Sequence, residues 1–142
     1  MSDPAARSAA ACPICTRGEP LDIVADLGVA WVTAPSAAAL PGYACVVAKR
    51  HVVEPFELEP EEGHAFWDAV ARVSRAVSAA TGAVKMNYEI HGNTLAHLHL
   101  HLYPRYVGDP FEGRPIDGSA SAFHRSAEEL AALAAAIREA PP

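Results

Sequence analysis

Apolar and polar residues alternate most strictly between positions 97 and 103, where His97, His99 and His101 interleave with Leu98, Leu100 and Leu102 before Tyr103. Successive side chains of an extended strand face opposite ways, so this segment predicts a strand with a leucine face for the core and an imidazole face for a pocket. Leu21–Asp26, Ala30–Thr33 and Tyr43–Ala48 are short segments bearing Val, Ile and aromatics, separated by Gly or Pro, and read as consecutive antiparallel strands. Val84–Ile90 reads as a further strand, joined to the histidine strand by Gly92-Asn93-Thr94 and paired with it. The period lengthens between these strands. Phe66, Val70, Val73 and Val77 recur at helical spacing behind Pro60 and the acids Glu59, Glu61 and Glu62, and Gly82 supplies the stop. A last helix is announced by Ser126 and Glu129 as a capping box, with Leu130, Leu133 and Ile137 as its apolar stripe. Between them, 108–118 is a long Gly- and Pro-rich loop. The sum is an α+β fold: a five-stranded antiparallel sheet with one long helix and a C-terminal helix.

A chain of 142 residues is expected to form one domain, here 12–142 behind a flexible N-terminal tail of residues 1–11. The tail lacks the apolar stretch of a secretory signal, and no apolar run reaches the length of a membrane span. A cytoplasmic location is the expectation. Eleven Lys and Arg against 17 Asp and Glu give a net charge of −6, which argues against a nucleic-acid polymer as partner and leaves any phosphate-bearing partner small. Three cysteines fit a reducing compartment with a metal-type pair, Cys12 and Cys15, and a buried thiol, Cys45.

Same-face positions of a strand lie about 6.6 Å apart, so one ion does not easily serve all three histidines. Two neighbours suffice for a zinc hydrolase or cupin-like site, but the extra carboxylate such a site uses is missing, since Arg105 and Tyr106 follow and Glu112 lies beyond Pro110. Cys12-Pro-Ile-Cys15 is better placed as half of a zinc knuckle, with His51 and His97 as candidate nitrogen ligands, against the alternative of two ordinary thiols. That assignment leaves His99 and His101 for chemistry. The Gly92-Asn93-Thr94 loop offers backbone, amide and hydroxyl donors to a phosphoryl group. A neutral imidazole attacks phosphorus directly and a second protonates what leaves, so His99 in mid-strand reads as the nucleophile and His101 as its partner. The other candidates have plainer readings. Trp31 is either core or a nucleoside platform, Trp67 packs or meets a second subunit, and His64 is solvated. His91 hydrogen-bonds within its loop, His124 and Phe111–Pro115 either cover a substrate or reach another subunit, and Arg105 and Arg114 either steer a polyphosphate or lie on the surface.

His97-Leu-His99-Leu-His101-Leu-Tyr103 resembles the signature of the histidine triad superfamily. Val46-Val-Ala-Lys-Arg-His51, Asn87 on the penultimate strand, Gly92-Asn93-Thr94 and the Cys12–Cys15 knuckle of its zinc-bearing members extend the resemblance from Cys12 to about Pro115. It implies a hydrolase acting at the α-phosphorus of a small nucleotidyl substrate, a dinucleoside polyphosphate or nucleoside phosphoramidate, through a nucleotidyl-histidine. On this resemblance His99 is the nucleophile, His101 contacts phosphate and the leaving group, Asn87, Asn93 and Thr94 bind substrate, and Cys12, Cys15, His51 and His97 hold a structural zinc. It implies no catalytic metal or organic cofactor, and a homodimer with sheets joined across the two-fold axis. Alternatives within it are a phosphorylase or nucleotidyltransferase, and a weakly active nucleotide sensor. Asn93 stands where many members carry glutamine, and Gly28–Pro35 lacks the acid many use to hold ribose. A histidine at 101 in place of glutamine points away from the uridylyltransferase branch.

Overall fold

The computed structural model describes residues 4–142. Five strands form one antiparallel sheet: β1 (Ile23–Asp26), β2 (Ala30–Thr33), β4 (Ala44–Ala48), β6 (His99–Arg105) and β5 (Lys85–Glu89), in that spatial order. The expected α+β fold and sheet are present. A two-stranded ribbon of β3 (Ala37–Ala38) with β7 (Phe123–His124) adds a feature too short to carry a sequence pattern. Helices α2 (Pro60–Thr81) and α3 (Ala127–Glu139) cover one face of the sheet, and the five-residue α1 (Pro13–Arg17) lies at the knuckle.

The leucine half of the alternation does what its period demands. Leu98, Leu100 and Leu102 are each at most 1% exposed and join Val32, Val46, Phe66, Val70, Val73, Val77, Leu133 and Ile137 in the main core. Truncating a leucine so placed costs about 2–5 kcal/mol. Glu59 and Glu62 close a capping box at the start of α2, Gly82 at φ 67° ends it, and Ser126 with Glu129 caps α3. Central β4 is buried along its whole length because both faces of the sheet are covered there. On the second face Cys12, Ile14, Cys45 and Val47 form one small cluster. Tyr103, Phe111, Ile116, Ala39 and Leu40 form another, beneath the 106–118 loop.

Two boundaries differ from the sequence expectation. His97 stands outside the ladder and His99 is the first residue of β6, not its centre. The cause is a tight turn in which the His97 amide donates to the Leu95 carbonyl at 2.9 Å, so the chain straightens only at Leu98, whose amide donates to Val52. The β5–β6 connection is correspondingly longer than Gly92-Asn93-Thr94. Residues 4–11 of the expected tail form two 3₁₀ turns, Pro4–Arg7 and Ala9–Ala11, while residues 1–3 lie outside the described residues. At Gly42, φ is 78° and a Cβ would stand 2.6 Å from Thr81 Cγ2, so only glycine lets the turn before β4 approach the end of α2.

Candidate functional site

The sheet pleat places the odd-numbered residues of β6 on the face away from α2 and α3, with His101 opposite Cys45 and Glu89, and Tyr103 opposite Asn87. His99 and His101 stand with ring centroids 4.9 Å apart, edge to face. A cleft of about 380 Å³ opens over them, lined by His91, Gly92, Asn93, Thr94, Leu95, His99, His101, Tyr103 and Gly118. Asn93, Thr94, His99 and His101 are thus brought together. Asn87 is not: its Oδ1 accepts from an Arg105 Nη at 2.8 Å, and it lines a neighbouring concavity with Lys85, Tyr88 and Arg114. The reason is register, which puts Asn87 beside Tyr103 and two residues down β5 from the histidine pair.

Hydrogen bonds set the ring tautomers. His99 Nδ1 lies 2.6 Å from the His97 carbonyl, which can only accept, so Nδ1 carries a proton and in the neutral ring the lone pair sits on Nε2. His101 Nδ1 lies 2.7 Å from the Tyr43 hydroxyl. Burial pushes the Tyr43 hydroxyl far above its ordinary range, so it stays protonated and donates, leaving the His101 proton on Nε2. Burial, then the His99 and His91 charges, pushes His101 down to about 4, so this imidazole is neutral at pH 7. Tyr43 also stacks on Tyr103, at 4.8 Å between centroids. Its only signal in the sequence is an aromatic at the head of a strand, and its role needs the β4–β6 register to be seen.

Sulfur and nitrogen donors converge at the entrance to β6. His51 Nδ1 and His97 Nδ1 are 3.3 Å apart, Cys12 Sγ is 3.4 Å from His97 Nδ1, and Cys15 Sγ is 3.4 Å from His51 Nδ1 and 3.8 Å from His97 Nδ1. All four donor atoms lie within 4.8 Å of one another. Bonds of 2.0–2.1 Å to nitrogen and 2.3 Å to sulfur at tetrahedral angles require separations of about 3.4 Å between nitrogens and about 3.6 Å between nitrogen and sulfur. The observed edges match. The far nitrogens agree as well, since His97 Nε2 donates to the Ala48 carbonyl at 2.7 Å and His51 Nε2 to the Arg7 carbonyl at 2.9 Å. Both Nδ1 atoms therefore present lone pairs to the centre of the cluster, where a cation can accept them. The donor set fits zinc, as the knuckle spacing led one to expect. His97 links the two sites, its ring in the metal centre and its carbonyl on the His99 ring.

Several other side chains are structural. The Arg105 guanidinium is held by Asp109, Asn87 and the Phe111 carbonyl, so it organises the loop and has little left for a polyphosphate. His64 is exposed, and His124 is exposed in β7 away from the cleft. Trp31 is half-buried against Cys12, Cys45 and Val47, with the Lys49 ammonium 5.5 Å from its ring centre. No described helix is long and apolar enough to cross a membrane.

Known proteins share this fold. A histidine triad protein from Sinorhizobium meliloti is 29% identical, with a TM-score of 0.75 over 84% of this chain and 88% of that one. One from Bradyrhizobium japonicum is 28% identical, with a TM-score of 0.75 over 83% and 88%. A zinc-bound histidine triad family protein from Mycobacterium smegmatis shares the fold at 22% identity, with a TM-score of 0.68 over 93% and 96%. The HIT domain family model matches residues 20–108, from the first strand through His51 and His97 of the metal centre and the paired histidines of the cleft. More than half of the sequence and the whole of the sheet thus carry one family's pattern, and the chain belongs to the histidine triad (HIT) family.

Proposed function

We propose that the protein is a nucleotidyl hydrolase that cleaves at the α-phosphorus of a nucleoside phosphoramidate or dinucleoside polyphosphate and releases a nucleoside monophosphate. The observation that carries this reading is the His99 tautomer: the His97 carbonyl fixes a proton on Nδ1, so the lone pair of the neutral ring is the one on Nε2, at a cleft beside the Gly92–Thr94 loop. In the first step His99 Nε2 attacks phosphorus, an N–P bond forms, and the bond to the leaving group breaks. In the second, water attacks the same phosphorus, the N–P bond breaks and the monophosphate departs. His101, neutral and with its Nε2–H directed by Tyr43, donates to a phosphoryl oxygen as charge develops there. Thr94 and Asn93 at the cleft wall supply further donors to the phosphate. The zinc bound by Cys12, Cys15, His51 and His97 supplies a fixed crosslink, and these residues hold the His97 carbonyl against His99.

The working unit in this reading is a cytoplasmic homodimer joined through β5, a strand at the sheet edge in which Tyr88 is 49% exposed and which Val84, 67% exposed, directly precedes. Sedimentation of the purified chain tests that assembly, a monomer being the contrary result. The catalytic reading is tested by His99→Ala, which should abolish turnover and the burst of nucleotidyl-enzyme while preserving the unfolding transition. Hydrolysis at near wild-type rate in that variant would refute it. Incorporation of inorganic phosphate into the product would instead identify a phosphorylase.

A further inference from the structure

The cleft contains a third imidazole, that of His91. His91 Nε2 stands 2.9 Å from a carboxylate oxygen of Glu89, and its ring centroid lies 5.9 Å from that of His101. His101 is therefore the common neighbour of His99 on one side and His91 on the other. The two outer rings differ in what holds them. The Glu89 side chain is 20% exposed and the His91 side chain 55%, so the pair is rooted on β5 and opens into the cleft.

A proton must reach the leaving atom when an alkylamine departs, because its free anion is far too basic to leave. His101 is poorly suited to hold that proton: its Nδ1 accepts from Tyr43, it is substantially buried, and its neutral form has one N–H to give to the phosphoryl group. His91 has the complementary arrangement, with a carboxylate accepting from Nε2–H and Nδ1 left open to a reactant. The titratable groups facing the pair are His99, His101 and Tyr103 of β6, with Lys85, Arg105 and Arg114 around Glu89 in the adjoining concavity.

Resting on the nucleotidyl-transfer reading above, we propose that the Glu89–His91 pair is the proton donor to basic leaving groups, making His91 a catalytic residue outside the histidine triad. As His99 Nε2 forms its bond to phosphorus and the P–N or P–O bond to the leaving group breaks, His91 Nδ1 gives its proton to the departing atom. Its Nε2–H stays on Glu89. In the second step the now neutral His91 takes the proton of the attacking water as the His99–phosphorus bond breaks, and both imidazoles return to their starting states.

The test compares the alkylamidate and the p-nitrophenyl ester of one nucleotide, made on whichever of A, G, C and U the wild-type chain cleaves fastest. Nitrophenolate leaves without a proton, so the two probes separate proton donation from binding. His91→Gln is expected to lower kcat/KM for the alkylamidate by about 100-fold or more, and for the ester by less than about 3-fold. It should also remove the limb of the amidate pH profile on which rate falls as pH rises. Glu89→Gln should produce a smaller loss confined to the amidate. Equal losses on both probes would make His91 a binding residue and overturn the proposal, as would unchanged rates on both. Loss of both activities in His99→Ala keeps the parent reading in place. Full activity of that variant, or an inert wild type, overturns the parent reading and this inference with it.

Discussion

Replacing Cys12 by serine probes the metal centre where its geometry is most specific. The four donors already cluster as the corners of a tetrahedron would, with four of their separations at 3.3–3.8 Å and all within 4.8 Å, so binding zinc requires little rearrangement of the folded chain. The unfolded chain has no such convergence, because residues 12, 15, 51 and 97 are spread over most of its length. Zinc therefore binds the folded state selectively. At free zinc a thousandfold above Kd, that selectivity adds about 4 kcal/mol to stability. For a chain of this size each kcal/mol moves Tm by roughly 3–4 °C, so removing the metal should lower Tm by about 12–16 °C. The assay is thermal unfolding at fixed protein concentration, with and without a chelator, beside metal analysis of wild type and Cys12→Ser. Wild type should hold one zinc per chain and show the chelator shift; Cys12→Ser should hold far less and start near the chelated Tm. Turnover in the variant should fall less than in His99→Ala, because the metal reaches the nucleophile only through the His97 carbonyl. Equal zinc content and equal chelator shifts in the two proteins would refute the assignment.

Three further outcomes follow from local geometry. Tyr43→Phe removes the donor to His101 Nδ1 and leaves a buried ring nitrogen unpaired, so chemical denaturation should show a loss of about 1–3 kcal/mol. The same variant should lower kcat about tenfold or more, as the His101 tautomer is no longer imposed, and an unchanged kcat would remove Tyr43 from the site. Arg105 holds Asp109 down to about 2 from 3.8, with the two side chains only 12% and 3% exposed. A depressed carboxylate stabilises the fold above its unfolded pKa and ceases to as pH falls. About 2 kcal/mol should therefore disappear between pH 4 and pH 2 in wild type and be missing from the acid-unfolding curve of Asp109→Asn. Gly42→Ala forces a Cβ against Thr81 at positive φ and should cost roughly 1–3 kcal/mol by urea unfolding, an unchanged midpoint being the contrary result.

Periodicity alone determined a great deal here. The histidine–leucine alternation had to become a strand with one core face, because a period of two puts identical residues on one side of a pleat. Phe66, Val70, Val73 and Val77 had to become the buried stripe of a helix, and the Cys12–Cys15 spacing already indicated a metal knuckle. All of these are local patterns, and local patterns are what a sequence displays. The unequal fates of the three histidines were partly visible in the same way, since one ion cannot easily serve positions spread along a strand. Other features depended on the tertiary structure. The turn at Leu95–His97 moved His97 out of the ladder and made His99 the first residue of β6; it is set by a backbone hydrogen bond no side chain announces. Tyr43 became the partner of His101, Asn87 fell beside Tyr103 and outside the cleft, and Glu89 came to stand opposite His101, through the β4–β6–β5 registers. Register joins residues tens of positions apart, and its energy comes from packing the whole leucine face, so it is decided only once the sheet closes on its helices.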